Sequence, residues 1–235
     1  MNVDKRKKYI MVLDTETCNA IAVDGKKLDL TQSLVYDVGF QVIDKKGNIY
    51  EQFSAAVREI FCGERDLMKS AYYCKKIPQY WEQIWAGERS ILSLLEIRSI
   101  VYQVCEKYGI TTISAHNARF DVRALNNTIR YVTKSKYRYF LPYNVEIWDS
   151  MGMAADVVAK TPTYRAFCEN NGLLCKNGQV RKTAEALYRY ISNDNTFNEK
   201  HTGLEDVKIE SIIVVYCLAK HKAMPHKVLY SRKAA

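Results

Sequence analysis

No run of apolar residues in this chain approaches the roughly 18 that a membrane-spanning helix needs, so no membrane partner is expected. Residues 1–8 are polar and basic and lack the apolar segment of a secretory signal. No Cys-x-x-Cys pair occurs among Cys18, Cys62, Cys74, Cys105, Cys168, Cys175 and Cys217, and their number is odd. That pattern argues against a disulfide framework and for a reducing, cytoplasmic compartment. Cys168 and Cys175 could share a zinc ion, but their spacing matches no usual ligand pattern. Internal repeats and low-complexity linkers are also missing, so residues 1–235 are expected to form a single domain with an ample core. Acidic residues are outnumbered, 26 against 35 Lys and Arg, and the net charge of +9 favours a polyanionic partner through counterion release. Histidine is scarce: His116, His201, His221 and His226 complete the set. No stripe demands an oligomer, and the oligomeric state is left open.

What is present is organised around residues 9–17, Tyr-Ile-Met-Val-Leu-Asp-Thr-Glu-Thr. The apolar run reads as a buried strand. Side chains alternate across a strand, so Asp14 and Glu16 share a face. Two anions there repel by about 4 kcal/mol at about 4 Å and an effective dielectric near 20. A cation between them removes that cost, and hard carboxylate oxygens suit Mg²⁺ or Mn²⁺. Taken alone, the pair also fits two solvated acids beyond the end of the strand.

The rest of the chain suggests an α/β sheet of mixed strand direction. An Asp24-Gly25 turn is expected in the polar segment that follows. Residues 34–43 read as a strand with Asp37 outside, 44–48 as a hairpin turn, and 49–54 as the return strand. Residues 57–87 mix charges with aromatics and contain two short helical stretches, 65–75 and 78–85; they form either a flap or an elaborated connection. Residues 88–108 have helical periodicity and end at Gly109. Strands are expected at 111–115 and 144–149. Helices are expected from Asn117 to about 132 and over 150–159, 163–171 and 181–191, with a last one at 203–221 whose Val207, Ile209, Ile212, Val215 and Leu218 point inward. Residues 224–235 read as a loosely held basic tail.

Two further acidic motifs stand at helix starts. Residues 114–121 read Ser-Ala-His-Asn-Ala-Arg-Phe-Asp, with Asn117 as a natural N-cap and Asp121 one turn on. Residues 201–206 read His-Thr-Gly-Leu-Glu-Asp. Each alone fits a helix-dipole or capping role. Arg119, Arg123, Arg130, Lys134, Lys136 and Arg138, with Tyr137, Tyr139 and Phe140 among them, make either a phosphate-contacting side or a solvated face.

The ordered pattern Asp-x-Glu, Asn-x-x-Phe-Asp, His-x-x-x-x-Asp closely resembles the DEDDh 3′–5′ exonuclease family, of the ribonuclease H-like superfamily, and its proofreading epsilon-type members most. The resemblance spans residue 9 to about 221. It rests on Asp14, Glu16, Asn117, Phe120, Asp121, His201 and Asp206. One departure is Cys18-Asn19 after Thr17, where many relatives have glycine. The resemblance implies a ribonuclease H-like mixed five-stranded sheet flanked by helices. It also implies a catalytic set of Asp14, Glu16, Asp121, His201 and Asp206, whose four carboxylates hold two Mg²⁺ or Mn²⁺ ions, Asp14 bridging both. Glu16 and Asp206 would serve the ion on the attacking-water side, Asp121 the ion on the leaving 3′-oxygen side, and His201 would be the general base. The terminal nucleotide would lie against Thr15, Thr17, His116, Asn117 and Phe120. The implied partners are 3′ ends of single-stranded DNA, favoured, or RNA, with a polymerase or replication complex as a further candidate; the product is a nucleoside 5′-monophosphate. The alternatives are an exoribonuclease of the same fold and a non-catalytic nucleic-acid-binding or partner-binding module.

Overall fold

The computed structural model describes residues 3–4, 6–18, 30–69, 71 and 73–229. The expected Asp24-Gly25 turn, Asn19 and the ends of both basic tails lie outside them. Strand β1 (Tyr9–Cys18) runs antiparallel to β2 (Leu34–Asp44) along its whole length, with a register shift between Glu16 and Thr17. The hairpin at 44–48 leads into β3 (Ile49–Val57) as expected. The 57–87 stretch folds into α1 (Arg58–Phe61), α2 (Arg65–Lys69) and α3 (Ile77–Trp85). Phe61, Met68, Ala71 and Tyr80 from this stretch enter the core.

Residues 88–108 divide into two elements. Strand β4 (Ser90–Leu92) pairs parallel to β3, and α4 (Leu94–Tyr108) begins only after Ser93. A reciprocal capping box between Ser93 and Glu96 sets that start, because it satisfies backbone N–H groups that would otherwise have no partner. Gly109 closes the helix at φ 61°, as its position predicted. Strand β5 (Thr112–Ala115) then pairs parallel to β1, and after α5 (Ala118–Thr133) strand β6 (Glu146–Asp149) pairs parallel to β5. Helices α6 (Ser150–Val157), α7 (Pro162–Asn170), α8 (Ala184–Ser192) and α9 (Gly203–Ala219) follow. Within the basic tail, β7 (Lys227–Leu229) pairs antiparallel to β6. Among the described residues the sheet therefore has seven strands, in the order β4-β3-β2-β1-β5-β6-β7, two short ones more than the expected five. None of the described helices is long and apolar enough to cross a membrane.

Side-chain parity on β1 separates two cores. Tyr9, Met11 and Leu13 pack with α4, α5 and the 57–87 stretch. Ile10 and Val12 pack with Val207, Ile213 and Val214 of α9. Asp14 and Glu16 continue that second parity, so β1 aims both carboxylates toward α9.

Two expectations fail, each for its own reason. Asp37 is completely buried rather than outside. Strand β2 is central, with both faces covered, so alternation with solvent does not apply to it. Ile212 is 43% exposed rather than inward, because the inward face of α9 runs through Asp206, Val207, Glu210, Ile213, Val214 and Cys217.

Candidate active site

The site lies at the carboxyl end of β1. Its placement over that strand depends on a close approach between β2 and α9. A Cβ on Gly39 would stand 2.3 Å from the Gly203 carbonyl carbon and the Leu204 nitrogen. Only a residue without a side chain permits that contact. Asp37 reinforces it. Its Oδ2 accepts the Gly203 N–H at 3.0 Å and the Tyr80 hydroxyl at 2.9 Å, and its Oδ1 pairs with the buried Arg89 guanidinium. One buried carboxylate thus ties the first turn of α9 to α3 and to the segment before β4.

That anchoring carries Asp206 over β1. Ligand atoms of Glu16, His201 and Asp206 lie within 4.8 Å of one another. Asp206 also organises the approach to its own helix, since its Oδ1 accepts the His201 N–H at 3.1 Å. His201 has φ 51°, a left-handed conformation uncommon for a residue with a side chain. Asp121 arrives from the other side of the sheet, in the first turn of α5. Its Oδ1 accepts the Thr15 hydroxyl at 2.7 Å. Thr15 has the parity of Leu13, so a single strand offers Asp14 and Glu16 to one side and the hydroxyl that fixes Asp121 to the other.

Crowding of the acids shows in their protonation. Burial pushes Asp206 up to about 8, helped by the charge of Glu199. Burial likewise pushes Asp121 up to about 7, against the lowering bond from Thr15. Asp14 and Glu16 are raised well above the ordinary carboxylate range, first by burial and then by neighbouring carboxylates, Glu210 foremost for Asp14 and Asp206 for Glu16. His201 is lowered, by burial and by the Lys76 ammonium. Hard oxygen donors packed until they resist ionisation are a donor set that suits a divalent cation.

The expected nucleotide-contacting residues have varied surroundings. Thr17 and Phe120 are half-buried near the end of β1 and in the first turn of α5. Both ring nitrogens of His116 are engaged, with the Ser150 hydroxyl at 2.9 Å and the Lys182 carbonyl at 2.7 Å. Burial lowers its pKa. Asn117 precedes α5 as expected, but in the left-handed region at φ 62°, and its side chain makes no capping bond. It is held through its backbone N–H, which donates to Asp149 Oδ1 at 2.8 Å. Asparagine tolerates that conformation better than most residues.

Four neighbours of the site escaped the sequence reading. Tyr73 stacks on the His201 ring with centroids 4.2 Å apart and planes 12° from parallel. Lys76 donates to the Lys200 carbonyl, and its charge reaches Glu16, Asp206 and His201. Glu199 Oε2 lies 3.7 Å from His201 Nδ1. Glu210 is buried one turn beyond Asp206. Only Glu210 left a local signal, an acid at the inward spacing of an apolar helix. The basic and aromatic residues of α5 and the following loop do interleave: Arg119, Arg123 and Arg130 line a groove of about 270 Å³, and Lys136 lies 5.2 Å above the exposed Tyr137 ring.

This seven-stranded mixed sheet with helices on both faces is a ribonuclease H-like arrangement, similar in fold to solved exonuclease structures. Among solved structures, the nuclease domain of 3′hExo bound to rAMP, a DEDDh family member, has a TM-score of 0.55 at 13% identity, covering 96% of this chain and 100% of that one. Exonuclease I from Methylocaldum szegediense gives 0.52 at 16% identity, covering 92% of this chain and 41% of the other. S. pombe Pop2p in its Mg²⁺- and Mn²⁺-bound form gives 0.51 at 10%, covering 92% and 85%. No protein-family model and no curated protein sequence matches the chain. At these identities the likeness is one of fold.

Proposed function

We propose that this protein is a metal-dependent 3′–5′ exonuclease that releases nucleoside 5′-monophosphates from single-stranded nucleic acid, DNA before RNA. The observation that carries the reading is the meeting of Glu16 from β1 with His201 and Asp206 from the start of α9, their ligand atoms within 4.8 Å. Asp121, bonded to Thr15 beside Asp14 and Glu16, supports it. Asp14, Glu16, Asp121 and Asp206 are the residues that would hold two Mg²⁺ or Mn²⁺ ions. When bound, such ions supply Lewis acidity toward the phosphodiester and neutralise the charge that gathers on it.

The chain's own residues divide the remaining work. His201 takes the proton of the attacking water, for which its imidazole must be neutral. Burial and the Lys76 ammonium favour that form at neutral pH. Tyr73 on the ring face and Glu199 beside Nδ1 hold the imidazole's plane. Residues 73–76 therefore act as the covering edge of the site, and the 57–87 stretch serves as a flap anchored in the core by Phe61 and Tyr80. Thr15, Thr17, Asn117 and Phe120 surround the place for the terminal nucleotide, with His116 as a braced wall. Stacking of a base on Phe120 would be indifferent to base identity. The Arg119, Arg123 and Arg130 groove takes the phosphates behind it. A polymerase partner finds no support in these surfaces and is not proposed.

The test incubates the full chain with 5′-labelled single-stranded DNA and RNA in Mg²⁺ or Mn²⁺. Progressive shortening from the 3′ end is expected, and it should stop with EDTA and in Asp14→Ala. RNA belongs in the panel because a neighbour of the same fold is bound to rAMP. Tight binding without shortening would replace the reading with a non-catalytic module, and activity that survives in Asp14→Ala would assign it to a contaminant.

A further inference from the structure

The inward face of α9 carries a second acid that the roles above leave unused. Glu210 stands one helical turn beyond Asp206, so the two side chains lie one above the other on the face that meets β1. It is 3% exposed. Its Oε2 is buried and has no hydrogen-bond partner among the described residues. The charged groups that bear on it are Asp121, Asp206 and Glu199, and its own charge bears on Asp14 more than does that of Asp121, Glu16 or Asp206. The His116 backbone gives this carboxyl one hydrogen bond, but a carboxylate buried among carboxylates with its second oxygen free is costly if its only role is to pack. Valine, isoleucine and cysteine fill the neighbouring inward positions of this helix without that cost.

We infer that Glu210 is a fifth carboxylate of the metal centre, holding one of its divalent cations from the same helix face as Asp206, directly or through one water. The inference deepens the metal-dependent reading above and rests on it. Charge supports it as well. Asp14, Glu16, Asp121, Asp206 and Glu210 together carry one more negative charge than two divalent cations neutralise. Glu199 beside His201 adds a further negative charge, and the Lys76 ammonium, whose field reaches Glu16, Glu199 and Asp206, meets part of the remainder. Under this assignment the flap lysine and the α9 glutamate form one electrostatic unit with the ions.

The test is Mn²⁺ binding to the full chain near neutral pH, followed by calorimetry and by the electron paramagnetic resonance signal of free Mn²⁺. Three proteins are compared: wild type, Asp14→Asn and Glu210→Gln. The amide matches a protonated carboxyl in shape but carries no charge. Glu210→Gln is expected to fold, to bind one of the two ions at least tenfold more weakly, and to gain correspondingly less in Tm when Mn²⁺ is added. If Glu210→Gln does not fold, Glu210→Leu, which buries no polar atom, takes its place with the same expectation. Wild-type affinity and stoichiometry in the variant, with Asp14→Asn impaired, would make Glu210 a packing residue and overturn this inference alone. Failure of the wild type to bind Mn²⁺ would overturn the metal-dependent reading, and this inference with it.

Discussion

Raising the pH of the metal-free protein from about 5 to about 7 should weaken its fold. The reason is the crowding of acids in a dry pocket: burial pushes Asp121 up to about 7 and Asp206 up to about 8, the latter with help from Glu199. In the unfolded chain an aspartate ionises near 3.9. Between these values the folded protein retains protons that the unfolded chain has given up, so stability present at low pH is lost as pH climbs toward the folded values. Each of the two carboxyls costs roughly 2 kcal/mol over this interval. In a domain of this size 1 kcal/mol moves Tm by about 2–4 °C, so these two carboxyls alone imply a fall of about 10 °C, to which Asp14, Glu16 and Glu210, raised in the same direction, add. His116 and His201 are both lowered, chiefly by burial, and act in the opposite sense. Their contribution grows as pH rises through about 6.5, where an unfolded histidine loses its proton. Comparison with Asp206→Asn separates the two effects, because the variant keeps both histidines and should fall by about 5 °C less than the wild type. The assay is thermal unfolding in EDTA followed by circular dichroism at three pH values. Mn²⁺ at about 100 times its Kd should then return about 2.7 kcal/mol at neutral pH. A metal-free Tm that holds steady or rises, with Asp206→Asn tracking the wild type, would refute the crowded pocket.

Arg89→Met would leave the fully buried Asp37 without its cation, and breaking such a pair costs about 3–5 kcal/mol. Denaturant unfolding would measure it, and a loss under about 1 kcal/mol would show that the Tyr80 and Gly203 bonds suffice to hold Asp37. Gly39→Ala would drive a methyl group into the Gly203 backbone, so a destabilisation of at least about 2 kcal/mol is expected, together with weaker Mn²⁺ binding as α9 lifts Asp206 away. Unchanged melting and metal affinity would mean that α9 is not seated by this contact. Tyr73→Ala uncovers the His201 ring and should raise its pKa toward the ordinary value. The acid limb of the pH–rate profile should then move upward and turnover at neutral pH should fall about fivefold, the equivalent of one aromatic contact. A profile that superimposes on the wild type would remove Tyr73 from the site.

Much of this architecture was readable from local patterns. The parity of Ile10, Val12, Asp14 and Glu16 places two carboxylates on one face wherever the strand is packed. The Ser93–Glu96 box and Gly109 mark the ends of α4 by the bonding needs of a helix terminus, although helical periodicity extends back over residues 88–93 and hides β4. Asp121 and Asp206 stand in first turns of α5 and α9, where acids are commonplace. Their order along the chain, more than any one of them, carried the resemblance to exonucleases.

Other features depended on partners far away in the chain, and no window of sequence contains them. Asp37 looks like an outward residue of an alternating strand, and it is fully enclosed only because Arg89, Tyr80 and the Gly203 N–H converge on it. Tyr73 and Lys76 look like an unplaced insertion until the stacking on His201 sets them over the site. Glu210 reads as an interruption of an apolar stripe until β1 supplies Asp14 opposite it. Short-range periodicity decides which way a side chain points, whereas burial, charge pairing and proton affinity are set by what arrives from the other side.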